Sequence, residues 1–513
     1  MSNLFKLLAS FYTQRIFLNS FINNARINKK FRNLRFYSDS NRINRPYNRS
    51  PSKQFKNLSE AIKEFYASGK NKVKFSAVEL SRFEQFLLDS PKPLDMISFT
   101  KCLYTLRIYK IYDVKNILSI FATQCSKLTQ SFSSQAVGNT LYGLKNMSSD
   151  SSEVRAVLRE LSKKIIECRE PLNAQNVGNA LYGLQNMSSD SSEVRAVLRE
   201  LSKKIAECRE PLDAQAIGNA LYGLQNMSSD GSEVRAVLIE LVKKIGDCRE
   251  PLKAQAIGNA LYGLQNMSSD SSEVRAVLRE LVKKIIDCRE PLKAQNVGNA
   301  LYGLQNMSCN SSEVRVVLRE LSKKIAECRE LLEAQAIGNA LYGLQNMSSD
   351  SSEVRVVLIE LSKKIVECRE PLDAQAIGNA LYGLQNMSSD GSEVRAVLRE
   401  LSKKIVGCRE ILNAQAIGNA LYGIRHLSID VDLRSFVISC LNQISDSQID
   451  RSFDDIIVLY QTLALLDENS HFISSLKELS LYDKLIEQKQ RLLDVLKSTS
   501  YWQNAPLVTL TLS

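Results

Sequence analysis

The tetrapeptide Leu-Tyr-Gly-Leu recurs at residues 141, 181, 221, 261, 301, 341 and 381, and Leu-Tyr-Gly-Ile follows at 421, so the chain repeats itself every 40 residues. A period of this size marks a stacked array, in which each unit buries its apolar side only against its neighbours. Weaker copies, Leu-Tyr-Thr-Leu at 103–106 and Leu-Tyr-Gln-Thr-Leu at 459–463, stand 38 residues beyond each end of the series. Diverged terminal units are what such a stack needs to cover its end faces. The 513 residues therefore read as one elongated array, not as the roughly three globular domains that length alone suggests.

One unit is enough to infer the geometry. Asp213 is a suitable N-cap for a first helix over roughly 214–227. At 100° per residue, Ile217, Ala220, Leu221, Leu224 and Met227 fall within an arc of ~120°. Gln215, Asn219, Tyr222 and Asn226 gather opposite them within about 60°. A second helix follows, with Asp230 and Glu233 at capping-box spacing. Val234, Val237, Leu238, Leu241, Ile245 and Cys248 share its apolar side, and Lys243 lies opposite. In the preceding unit Glu200 with Lys204, and Lys203 with Glu207, are i,i+4 pairs of opposite charge, as on a solvated face. The expected fold is all-α: an α-solenoid of about ten two-helix repeats with a 40-residue period.

Gly218 and Gly223 recur in every copy of the first helix, where glycine costs about 1 kcal/mol relative to alanine. Two readings stand open: close approach of neighbouring helices through small residues, or close approach of a ligand chain. Their spacing imitates a phosphate loop, but Leu224-Gln225 stands where Lys-Ser/Thr is required, so nucleotide hydrolysis is rejected. Seven of the eleven cysteines, from Cys168 to Cys408, also fall at intervals of 40, and no CxxC pair occurs. They read as small buried apolar residues of the repeat. With only His426 and His471 in the chain, neither a multi-histidine metal site nor histidine acid–base catalysis is expected. No cofactor, metal or catalytic group is assigned.

The formal net charge is +11, and its position matters more than its size. Residues 1–50 hold ten basic residues and one acid, Asp39. An Arg-rich, acid-poor start with Leu4, Leu8 and Phe11 on one helical face has the composition of an organellar transit peptide, and Arg35-Phe36-Tyr37-Ser38 fits a matrix-processing pattern cleaved after Tyr37. The expected location is the mitochondrial matrix, with a plastid as the alternative. Residues 1–37 contain seven of the cations and no acid, so +4 remains for the rest. No segment approaches the ~20 apolar residues of a membrane span. The expected division is a transit peptide over 1–37, a disordered linker over 38–75 and diverged N-terminal capping helices over 76–130. Near-identical 40-residue helical repeats follow over 131–426, then a diverged C-terminal repeat and capping helices over 427–513.

Stacking at roughly 8–10 Å would align the amide and tyrosine stripes into ladders. The glutamine ladder is Gln135, Gln175, Gln215, Gln255, Gln295, Gln335, Gln375 and Gln415. The asparagine ladder is Asn139, Asn179, Asn219, Asn259, Asn299, Asn339, Asn379 and Asn419. The tyrosine ladder is Tyr142, Tyr182, Tyr222, Tyr262, Tyr302, Tyr342, Tyr382 and Tyr422. Amides carry donors and acceptors for base edges, and tyrosine carries a stacking face, so the stripe suits single-stranded RNA at about one base per unit. The other reading has these side chains bridging neighbouring helices. Two positions vary between units. One reads Ser133, Asn173, Asp213, Lys253, Lys293, Glu333, Asp373, Asn413, and the other is alanine except for Asn176 and Asn296. They are candidates for base selection, or the marks of drift at a helix cap.

AQAIGNALYGLQNM resembles the first helix of the octotricopeptide repeats, a family of organellar helical-repeat proteins. Gln215, Asn219, Leu221 and Leu224 agree with that family's pattern, Tyr222 stands for its aromatic residue, and Ala214, Ile217, Gly218 and Gly223 depart from it. The likeness covers about 135–426. It implies binding of organellar RNA and a part in transcript stability, processing, splicing or translation, with other gene-expression proteins as further partners. No RAP domain of the kind that many members carry is recognisable in 466–513. The competing expectation is a protein-binding scaffold or a structural subunit of a mitochondrial ribosome. It draws on unit 214–253, whose five cations and five acids cancel, whereas phosphate affinity ordinarily needs a basic surface.

Overall fold

The computed structural model describes residues 55–406, 408, 412–427, 431–445 and 453–498; the expected transit peptide, most of the expected linker and residues 499–513 lie outside them. In the repeats, the first helices are α5 (Ser134–Gly143), α7 (Ala174–Tyr182), α9 (Ala214–Tyr222), α11 (Ala254–Tyr262), α13 (Ala294–Tyr302), α15 (Ala334–Tyr342), α17 (Ala374–Tyr382) and α19 (Ala414–Gly423). Between them lie the longer second helices α6 (Ser152–Glu167), α8 (Ser192–Glu207), α10 (Ser232–Asp247), α12 (Ser272–Asp287), α14 (Ser312–Glu327), α16 (Ser352–Glu367) and α18 (Ser392–Val406). First helices stack on first helices and second on second, so the array has two layers. The expected all-α solenoid is what forms.

Local chemistry sets the ends of these helices. Asp213 accepts the Ala216 N–H at 2.6 Å, the expected N-cap. The first helix stops at Tyr222, five residues short of the expected end. Beyond it the bonds tighten to i→i−3, Leu224 N–H to the Leu221 carbonyl and Met227 N–H to the Leu224 carbonyl, each 2.9 Å. The second helix also departs from expectation, because Asp230 makes no capping box. The cap is residue 231, and in the preceding unit Ser191 accepts the Val194 N–H there. Arg235 closes the loop by donating to the carbonyls of Ser229 and Asp230 at 2.9 and 2.7 Å. Between the layers Ile217, Leu221, Leu224, Met227, Val234, Val237, Leu238, Leu241 and Ile245 are all buried. Each such aliphatic side chain contributes about 1.5–3 kcal/mol against exposure.

The expected linker is partly folded. Residues within it form α1 (Leu58–Asn71), followed by α2 (Ala77–Leu88), α3 (Met96–Thr105) and α4 (Ile111–Lys127). Asn57 caps α1, and Ala61, Ile62 and Phe65 bury its i, i+1, i+4 side. Helix α1 stacks on α3, and α3 on α5, so both belong to the first-helix layer. Phe55, Phe65, Phe75, Phe83 and Tyr109 form an aromatic plug at this end, and the Phe75 N–H donates to the Tyr109 hydroxyl at 2.9 Å. At the other end α20 (Val431–Ser445) continues the second layer, and α21 (Phe453–Asp467) stacks on α19. A short α22 (Ser470–Glu478) leads to α23 (Tyr482–Ser498), which packs on α21 and α20. No helix among the described residues is long and apolar enough to cross a membrane.

Candidate nucleic-acid interface

The spacing of the first-helix layer is fixed by its glycines. A Cβ on Gly223 would stand 2.0 Å from the Leu181 carbonyl oxygen of the preceding unit, and the equivalent glycines from Gly143 to Gly423 all give 2.0–2.1 Å. Gly218 faces the Ala256 backbone, where a Cβ would be 3.1 Å from its Cα. Both glycines therefore serve close helix approach, and the alternative of a ligand chain at these positions is set aside.

That approach brings the tyrosines into contact. Nine rings, from Tyr104 through Tyr142 and each 40-residue successor to Tyr422, stack with centroids 5.4–5.9 Å apart and planes 18–25° from parallel. Arg107 lies 3.7 Å over Tyr104 at one end, and Arg425 lies 3.6 Å over Tyr422 at the other. The ring faces expected to receive bases are thus taken by neighbouring tyrosines, and the rings are half-buried, with Tyr302 buried. Burial, with the neighbouring Tyr422, pushes the Tyr382 hydroxyl up to about 12.

Two further ladders lie one turn beyond the tyrosines. Asn186 donates to the Lys145 carbonyl at 2.7 Å, and the bond repeats from Asn226 to Gln185, Asn266 to Gln225, Asn306 to Gln265, Asn346 to Gln305 and Asn386 to Gln345. Gln185, Gln225, Gln265, Gln305, Gln345 and Gln385 are buried beside them, and Gln305 donates to the Gln265 carbonyl at 3.2 Å. These buried amides tie unit to unit, and buried polar groups must find partners of this kind.

The expected site residues divide by depth. Gln135, Gln175, Gln215, Gln255, Gln295, Gln335 and Gln375 are exposed, and Gln415 is half-buried. Asn139, Asn179, Asn219, Asn259, Asn299 and Asn339 are half-buried, while Asn379 and Asn419 are buried. Tyr302 is buried, and the other tyrosines of the repeats are half-buried. Of the variable positions, Asn173, Asp213, Lys253, Lys293, Glu333 and Asn413 are exposed, and Ser133 and Asp373 half-buried. Asn176 and Asn296 are not on the surface. They are 4% and 7% exposed, packed against Gly138 and Gly258 of the preceding unit. Their variation belongs to helix packing, because the side chain at that position faces the neighbouring helix.

The second layer carries the charge, and not simply as a solvated face. Lys203 pairs with Glu200 at 2.9 Å and Lys204 with Glu207 at 2.8 Å, both i,i+3 instead of the expected i,i+4. Lys164, Lys204, Lys284 and Lys364 are buried. Lys324 and Lys364 each donate at 2.8 Å to the carbonyl of the cysteine that caps the preceding second helix, and Lys244 and Lys284 make the same bond. A cation at a helix C-terminus is favourably placed in the helix dipole. Arg159–Glu193, Arg199–Glu233, Arg279–Glu313 and Arg319–Glu353 bridge successive units at 2.6–2.7 Å. Ile239 and Ile359 interrupt that series. Burial pushes the thiols of Cys168, Cys208, Cys248, Cys288 and Cys328 up, away from the reactive thiolate. Among the described residues no group of three His, Cys, Asp or Glu side chains could hold a metal ion.

The first-helix face thus offers one exposed glutamine amide per unit from Gln135 to Gln375. No family model matches this chain, and no curated protein matches it in sequence. Among solved structures, that of yeast Rmd9p in complex with a 16-nucleotide target RNA is similar over 86% of this chain and 90% of that one, at 10% identity and a TM-score of 0.27. The pentatricopeptide repeat protein PPR10, in complex with an 18-nucleotide psaJ RNA element, is similar over 86% of this chain at 11% identity and a TM-score of 0.25, and the chain spans 60% of its length.

Proposed function

We propose that the chain binds single-stranded RNA along its first-helix layer and acts in a mitochondrion on transcript stability, processing or translation. The observation that carries this reading is the row of exposed glutamine amides, one per unit from Gln135 to Gln375. An amide both donates and accepts, and can serve a base edge without a formal charge. The rings beneath repeat at 5.4–5.8 Å, wider than the 3.4 Å of a stacked strand, which suits unstacked bases taken one per unit. Selection between bases falls to the exposed cap row, where Lys253 and Lys293 succeed Asp213 and precede Glu333. The basic segment 1–50 and the resemblance to octotricopeptide repeats support the organellar setting. Fluorescence anisotropy with homopolymeric and mixed single-stranded RNAs tests the reading. The expected result is a sequence preference weakened by Gln255→Ala with Gln295→Ala, and equal affinity for every RNA would sink one-base-per-unit recognition.

One observation favours a protein partner for the other layer. Ile166, Ile286 and Val366 occupy the same second-helix position and are 57–62% exposed. If crosslinking in isolated organelles recovers protein through this row and no RNA, the scaffold reading replaces the first.

A further inference from the structure

The outer lysines of the second-helix layer are neutralised, whereas two lysines at the N-terminal end of the first-helix layer are not. In each repeat the outer lysine, such as Lys163, Lys243 or Lys323, pairs with a glutamate three residues earlier. On α1 and α3 the tyrosine position is held by Tyr66 and Tyr104, 38 residues apart, and the asparagine position by Lys63 and Lys101. Tyr66 leaves the regular stack: its ring lies 6.2 Å from Tyr104 and is tilted by 57°. The ammonium of Lys70, from α1, stands 4.8 Å from its centroid, and that of Lys101, from α3, stands 5.6 Å from the same centroid. Both lysines are exposed, and among the described residues neither has a carboxylate within 4.0 Å. Beside them Arg107 is immobilised, donating to the carbonyls of Tyr104 and Gly69 at 2.8 and 2.9 Å.

We infer that Lys70 and Lys101, gathered on the ring of Tyr66, form a phosphodiester clamp that holds the RNA backbone at the N-terminal end of the amide row. The inference rests on the RNA-binding reading above and assigns its electrostatic part. Cation–π attraction holds each ammonium near the ring. Two like charges at one ring repel, and an anion between them turns the repulsion into attraction. Across the first helices of the repeats the cations are single, Lys145 over Tyr142, Lys253 and Lys293 at helix caps and Arg425 over Tyr422, whereas the diverged units gather two lysines on one ring.

Salt titration of RNA affinity tests the clamp, because each lysine–phosphate contact contributes about 0.7 to the slope of log K against log salt for a single strand. The probe is a pool of random single-stranded RNA of about 20 nucleotides, enough for one base per unit. In the full chain, Lys70→Gln with Lys101→Gln should lower that slope by about 1.4 and weaken binding roughly ten- to thirty-fold at ~0.1 M salt. Both side chains are exposed and their mutual repulsion offsets the cation–π attraction, so the thermal midpoint should move by no more than a few degrees. The comparison variant, Gln255→Ala with Gln295→Ala, should weaken binding without altering the slope. If the lysine variant keeps the parental slope while the glutamine variant weakens binding, the clamp is overturned and the RNA reading stands. If the parental chain binds no RNA, both fall.

Discussion

The two layers of the array solve the same stacking problem by opposite means. First helices meet backbone to backbone through glycine, and their side chains link unit to unit by stacked rings and buried amides. Second helices meet through branched aliphatic residues, and ion pairs and lysine-to-carbonyl bonds span their units. Contacts of the first kind are short-ranged and insensitive to salt and pH, whereas the second kind depends on ionisation. One layer therefore fixes the spacing of the array, and the other makes its stability responsive to conditions.

The comparison breaks most sharply at glycine. Gly263→Ala would place a Cβ 2.0 Å from the Leu221 carbonyl oxygen, and should cost more than about 3 kcal/mol in chemical denaturation, beyond ordinary overpacking. Gly231→Ser is the contrast: a Cβ there is 3.6 Å from its nearest neighbour, and the equivalent position is serine in most units, so the midpoint should move by less than about 0.5 kcal/mol. Between these two, Asn306→Ala should cost about 0.5–1.5 kcal/mol, because it removes one of two donors to the Gln265 carbonyl and Gln305 remains. In the tyrosine stack, Tyr262→Leu should lose about 1–3 kcal/mol, because two ring pairs worth about 0.5–1.5 kcal/mol each disappear, while Tyr262→Phe should keep both.

The second layer sharpens the contrast through pH. Glu353 is held down to about 2 by the Arg319 guanidinium, then its own backbone N–H and the hydroxyls of Ser351 and Ser352. A carboxylate with a depressed pKa stabilises the folded chain fully above its ordinary range near 4.5 and loses that contribution as the pH falls toward 2. Acid titration followed by circular dichroism should therefore lower the melting point over that window, and Arg319→Ala should flatten the dependence. At neutral pH the same substitution should cost under about 1 kcal/mol, the ordinary value for an exposed pair. A chain that melts identically at pH 5 and pH 3 would contradict the division of labour.

Much of this was legible in the sequence, for physical reasons. The 40-residue period and the apolar sides of both helices depend only on residue spacing, so Ile217, Leu221, Val234 and Leu238 could be assigned to the core directly. The common face of Gln215, Asn219 and Tyr222 followed from the same angles. What spacing along one helix cannot give is the distance to the next. That the Gly223–Leu181 approach would close the tyrosines on one another depends on packing between units. Asn176 looked like a readable variable position for the same reason, since only the stacked neighbour reveals that it faces Gly138. Lys101 and Lys70 escaped notice because they lie in diverged units, where the repeat register is visible only through Tyr66 and Tyr104.

The tyrosine stack has a consequence for how such a chain can change over time. Each interior ring sees the same neighbour on both sides, and the arginines sit only at the two ends. Inserting or excising one whole unit by recombination between near-identical coding segments would leave the ring stack continuous and both end caps in place. The length of the array can therefore shift in discrete steps without breaking the stack, and with it the reach along any bound strand.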